Sequence, residues 1–164
     1  MLETLTLAQD EGEIVWLLAL GVRFMVRGAR TEGRFALVEH PLPARALGAP
    51  LHTHTAEDEY SYVLEGEIGV QIGDTDQIAG PGTLVFKPRG IPHAFWNAGD
   101  TPARLLEIIS PAGFEHYFEE AAAVFAADGP PDFARVNEIA ARYQMTLDFE
   151  SVPLLAQKHG LQLG

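Results

Sequence analysis

Two short stretches constrain this chain more than any other part of it. The first runs His52-Thr53-His54, then Glu59, then Gly66; the second holds Gly82, Pro88, Gly90, His93 and Asn97. Together they supply three imidazoles and one carboxylate, set among the glycines and prolines that make tight turns. His52 and His54 are two apart, so on a strand both point to one face, about 6.5–7 Å apart at Cα. Glu59 follows at an odd offset from His54. On a straight strand it would face the other way, so a turn or bulge within Thr55-Ala56-Glu57-Asp58 must reset the parity before it joins the pair. His93 arrives from a distant strand, directly after the rigid bend Pro88 to Pro92. A β-structure that closes on itself brings it back to the first three.

The chemistry of the set is that of a divalent transition metal: Fe, Mn, Ni, Co, Cu or Zn accepts imidazole nitrogen and carboxylate oxygen. Four protein ligands (His52, His54, Glu59 and His93) on a six-coordinate ion leave two positions open for water or substrate. A closed tetrahedral zinc site is the alternative that the same residues allow. Glu59 has a second possible use, as the catalytic base toward a bound hydroxyl. Gly66, Gly82, Gly90 and Asn97 are read as structural, serving turns.

The rest of the chain fits a β-rich frame. Sixteen glycines and eleven prolines in 164 residues favour many turns. Residues 12–26 read as one strand, apolar on both parities, and Ile14 to Val22 is the candidate contact of a homodimer. Phe35 to Glu39 reads as a second strand; Pro41, Pro43, Gly48 and Pro50 are expected to interrupt regular structure after it. From residue 59 to 109 strand and turn signals alternate quickly, which indicates a sandwich or barrel. Parity from Glu59 sends Ser61 and Val63 inward. Parity from His93 sends Phe95 inward, and Leu84 and Phe86 are assigned to the same substrate-pocket lining. Lys87 and Arg89 are read as surface residues, with the holding of an anionic substrate as their other use, and Glu57 and Asp58 as solvated. Ser110-Pro111 resembles a helix start, and Asp132 is placed to cap a second helix. The expected layout is a barrel over residues 1–110 and a helical extension over 111–164, in one folding unit.

A net charge of −12 disfavours nucleic acid as a partner. The absence of cysteine removes disulfide, thiolate and zinc–cysteine chemistry and agrees with a reducing cytoplasm. The apolar run Ile14 to Leu20 is far shorter than the roughly 20 residues that span a bilayer, so no membrane partner is expected.

The two stretches resemble the paired motifs of the cupin superfamily. His52, His54, Glu59 and Gly66 match its first motif, and Gly82, Pro88, Gly90, His93 and Asn97 match every position of its second. The expected leading glycine of the first motif is displaced, with Gly48 three residues before the histidine pair. The resemblance implies a mainly β fold, a double-stranded β-helix (a jelly-roll-like barrel) with the metal inside and two C-terminal α-helices packed outside. The trailing helices look like those of small single-domain bacterial cupins related to quercetin 2,3-dioxygenase. That likeness implies a metal-dependent dioxygenase acting on a small enolisable or aromatic, flavonol-like substrate. Oxygen-independent isomerisation, decarboxylation or hydrolysis, and non-catalytic binding of a small molecule, are the alternatives. Dimerisation is common in this family.

Overall fold

The structure, a computed structural model, describes residues 6–162. Ten strands come first: β1 (Ile14–Leu17), β2 (Leu20–Val26), β3 (Ala36–Leu42), β4 (Leu47–His54), β5 (Asp58–Glu65), β6 (Ile68–Ile72), β7 (Thr75–Ala79), β8 (Leu84–Lys87), β9 (His93–Asn97) and β10 (Ala103–Ser110). Then follow α1 (Glu115–Phe125), α2 (Phe133–Arg142), β11 (Met145–Asp148) and α3 (Ser151–His159). The strands form two antiparallel sheets, one in the order β1-β2-β3-β10-β5-β8 and the other β11-β4-β9-β6-β7. This is a mainly β, two-sheet architecture, as the alternating strand and turn signals indicate and the resemblance implies.

The core lies between the sheets and continues under the helices. Val22, Val38, Val63, Val70, Leu105 and Ile109 belong to the same packed cluster as Phe114, Phe118, Val136 and Ile139. The helical part is therefore bonded to the barrel by shared apolar burial. Among the described residues three α-helices are present where two were expected. The strand between the second and third returns to the sheet and pairs with β4, Met145 opposite His54 and Leu147 opposite His52.

Several local expectations are corrected. Residues 12–26 form a hairpin rather than one strand, because a two-residue turn at Leu18-Ala19 separates β1 from β2. Leu18 takes the left-handed conformation (φ 54°). Such turns ordinarily announce themselves with Asn or Gly, so an apolar residue there conceals the break. β1 is an edge of its sheet and leaves Ile14, Trp16 and Leu18 exposed. Pro41, Gly48 and Pro50 do not interrupt regular structure; they lie inside β3 and β4. Gly48 is needed where it stands, since a Cβ there would sit 2.3 Å from the Phe95 ring. Ser110 ends β10, and its Oγ donates to the Arg34 carbonyl rather than capping a helix. The buried Glu115 carboxylate instead accepts from the backbone N–H of Gly113 and of Gly28 at the head of α1. Asp132 caps α2 as expected, accepting from Arg135 N–H at 2.9 Å.

The turns of the second stretch hold the site together. Gly82 and Gly90 adopt φ of 84° and 77°, a backbone that glycine takes without steric cost. Gly90 N–H donates to the His54 carbonyl at 2.7 Å, tying the second stretch to the first. Asn97 is fully buried, and its Nδ2 donates to the carbonyls of Leu42, Pro43 and Thr101. Among the described residues no helix is long and apolar enough to cross a membrane.

Candidate metal centre

His52 and His54 project from β4 and His93 from the neighbouring β9, where His93 is directly opposite His52. Glu59 comes from β5 in the other sheet. The parity problem is solved by residues 55–57, which carry the chain across from one sheet to the other. All four side chains are buried, and one ligand atom from each lies within 4.8 Å of the rest. Bonds of about 2.1 Å to a common ion require ligand atoms roughly 3–4 Å apart, so small side-chain adjustments suffice.

The ring nitrogens fit that use. His52 Nδ1 lies 2.8 Å from the Pro50 carbonyl, and His93 Nδ1 lies 3.1 Å from that of Ile91. A carbonyl only accepts, so in the neutral rings these Nδ1 atoms carry the proton and Nε2 keeps its lone pair. Burial holds His52 well below the usual histidine range, helped by the charge of His93 and His54, and burial lowers His93 as well. His54 Nε2 is sealed from solvent without a hydrogen-bond partner, 3.4 Å from Glu59 Oε1. An orphaned buried nitrogen facing a carboxylate is costly, and a cation between them removes the cost. The donor set therefore fits a single divalent ion.

Sequence reasoning missed what stands behind the ligands. Lys87 is buried, with Nζ 2.9 Å from Glu59 Oε2 and 2.8 Å from Glu107 Oε1. Ser61 Oγ donates to the Glu107 carboxylate. Burial alone would raise the Glu59 pKa, but the Lys87 ammonium, His54 and the contact with His93 outweigh it and hold the carboxyl well below its usual value. Burial pushes Glu107 up to about 7 against the pull of Lys87. Lys87 resists the lowering effect of burial because both carboxylates face it. Glu57 is buried as well, and its Oε2 lies 3.4 Å from His54 Nδ1; both atoms lack any other partner. Asp58 instead pairs with Arg89 at 2.7 Å near the surface.

A cavity of about 490 Å³ opens beside the cluster. Phe95 lines it as expected; Leu84 and Phe86 do not, standing 60% and 47% exposed on the outer face. The inward parity of β8 falls on Val85 and Lys87. The four-residue run Leu84-Val85-Phe86-Lys87 is apolar at both parities until its lysine, so its facing was illegible. Ser61 and Val63 do point inward, but the cavity reaches no further along β5 than Glu59. Ser61 binds Glu107, and Val63 is packed in the core. The aromatic residues that wall the cavity come mostly from the C-terminal part: Phe114, Tyr117, Phe118, Phe125, Phe133 and Phe149. Tyr117, Phe118 and Phe125 lie on α1 and Phe133 opens α2, at a spacing that equally suits a packed core. Glu107, a lone acid within Leu105-Leu106-Glu107-Ile108-Ile109, was the one available signal of a buried charge.

Residues 39–109 match the Cupin domain family. No curated protein sequence matches the chain significantly. Among solved structures, KdgF from a Halomonas species superposes with a TM-score of 0.61 at 14% identity, over 70% of this chain and 99% of its own. A predicted oxalate decarboxylase from Thermotoga maritima gives 0.60 at 20% identity, over 65% and 99%. The iron(II) protein HppE gives 0.56 at 22% identity, over 65% and 60%. At these identities the likeness is one of fold.

Two outcomes are expected. Glu57→Ala should weaken metal affinity roughly tenfold to a hundredfold by freeing the His54 ring, with Glu57→Gln between it and wild type; calorimetric titration with cobalt(II) measures both. The second concerns His40, buried and held at a pKa of about 4 chiefly by burial. The unfolded chain takes up this proton below about pH 6.5, the folded chain only below about 4. Stability is thus lost as the pH falls from 6.5 to 4, by about 3 kcal/mol from this group. Denaturant unfolding of wild type and His40→Asn across that window should show the variant losing less by about that amount.

Proposed function

We propose that this chain, whose residues 39–109 form a cupin domain, is a metal-dependent dioxygenase acting on a small aromatic or enolisable compound of the flavonol kind. The observation that carries this reading is the cavity. Its volume lies in the range of small-molecule sites, about 300–1,000 Å³, and aromatic and aliphatic side chains form its walls. Its ionisable side chains are the ligands His52, His54 and Glu59 together with Lys87, Glu107, His40 and Tyr117. A planar apolar molecule fits such walls, and its oxygen atoms find their partners at the ligand cluster.

When bound to His52, His54, Glu59 and His93, a divalent metal supplies Lewis acidity that favours loss of a substrate hydroxyl proton. Glu59, held ionised, is the acceptor for that proton. Lys87 offsets the buried negative charge of Glu59 and Glu107 and keeps the Glu59 carboxylate in place. The rings of Phe95, Phe114 and Phe118 orient a flat substrate and exclude water. A second reading, oxygen-independent isomerisation, decarboxylation or hydrolysis, is favoured by the Lys87–Glu107 pair, which offers a further site for a proton.

Oxygen consumption decides between them. Protein loaded in turn with iron(II), manganese, nickel, cobalt, copper and zinc is presented with a panel of flavonols and other enolisable aromatics. Uptake of oxygen matched to loss of substrate, and abolished in His93→Ala, is the expected result. Substrate loss that proceeds equally under argon would establish the second reading.

A further inference from the structure

His40 lies in the cavity wall, and neither the ligand set nor the Lys87 pairing uses it. It belongs to β3, is 2% exposed, and its ring packs against those of Phe95 and Phe118 at centroid distances of 5.9 and 5.6 Å. Its Nδ1 stands 2.9 Å from the Gly21 carbonyl on β2. That carbonyl accepts only, so Nδ1 carries the proton of the neutral ring and Nε2 carries a lone pair. Burial keeps the ring neutral at pH 7. Among the described residues Nε2 makes no hydrogen bond, yet it is not one of the buried atoms sealed off without a partner. In a residue this buried, the surface left to Nε2 is surface of the cavity. The ammonium of Lys87, which lines the same cavity, is held by Glu59 and Glu107 rather than by His40.

We infer that His40 Nε2 is a specificity-determining acceptor, so that the substrate is an aromatic molecule bearing a hydroxyl donor in addition to the oxygen atoms it presents to the metal ligands. This inference rests on the proposed reading of the cavity as the site of an aromatic substrate. It deepens that reading by separating polyhydroxylated compounds from those with a single chelating hydroxyl. An acceptor that no protein group satisfies leaves an unpaired nitrogen when the substrate lacks the donor, and the penalty falls on the wrong ligand. Tyr117 Oη also makes no hydrogen bond among the described residues, and Tyr117 borders the same cavity. It donates as well as accepts, so it does not impose the same demand.

The test is binding measured without turnover, under argon, with cobalt(II)-loaded protein. The probes are 3-hydroxyflavone and its derivatives carrying one further hydroxyl at the 5, 7, 3′ or 4′ position. The readout is the ratio of their Kd values. In wild type, one derivative or more should bind about tenfold tighter than 3-hydroxyflavone. In His40→Asn that ratio should fall to about one. Asparagine keeps a donor for the Gly21 carbonyl and has no atom in the place of Nε2, and thermal melting confirms that it folds. His40→Gln, which puts an amide oxygen near that place, should restore part of the ratio. If 3-hydroxyflavone binds wild type and the ratio is the same in His40→Asn, the role of His40 is overturned while the cavity reading stands. If no probe binds wild type, the cavity reading fails and the inference falls with it.

Discussion

Residues 55–57 carry the chain from the five-stranded sheet to the six-stranded sheet, and the geometry of the site depends on that crossing. It sets the His52–His54 pair on one wall and Glu59 on the facing wall, with His93 beside the pair. Bonds to the rest of the fold hold the crossing in place: Thr55 N–H donates to the Gln144 carbonyl and Gly90 N–H to that of His54. Glu57, inside the crossing, turns its carboxylate back to His54. A straight continuation of β4 would have put Glu59 on the wrong face, and four ligands would never have met.

Burying this many ionisable groups between two sheets is costly unless each finds a counter-charge or a hydrogen bond. Lys87 supplies the counter-charge, bridging Glu59 and Glu107, while Ser61 satisfies Glu107 further. The backbone satisfies the outer nitrogens of His52, His93 and His40. His54 Nε2 is left over on the inside, facing Glu59. The same burial that makes the cluster costly makes it reactive. It keeps imidazoles neutral and ready to bind a cation, and it strengthens electrostatic interactions by excluding water.

The ligand quartet was legible because its spacing is rigid. A histidine pair two apart, an acid after a turn and a histidine after a proline-bounded bend leave few other arrangements. Fold class was legible for a related reason: short alternating segments divided by Pro-Gly, Gly-Asp and Asn signals indicate closed β-structure. The cavity wall was not legible. β8 is apolar at both parities before Lys87, so nothing local says that Leu84 and Phe86 face out. Lys87 and Glu107 are buried through each other, and a contact between residues twenty apart in sequence leaves no mark on either neighbourhood. Much of the aromatic wall (Tyr117, Phe118, Phe125 and Phe133) comes from helices whose 3.6-residue spacing looks the same whether it packs a core or borders a cavity. β11 lies beside the histidine strand, yet its four residues gave no signal distinct from the helices on either side.

The central claim is that His52, His54, Glu59 and His93 hold one ion between the two sheets. Anomalous diffraction from crystals of the metal-loaded protein, recorded at the absorption edge of the metal supplied, tests it most directly. The account predicts one anomalous peak per chain, at bonding distance, about 2.0–2.2 Å, from Nε2 of the three histidines and from the Glu59 carboxylate. No peak among these four residues, or one held by other side chains, would contradict it.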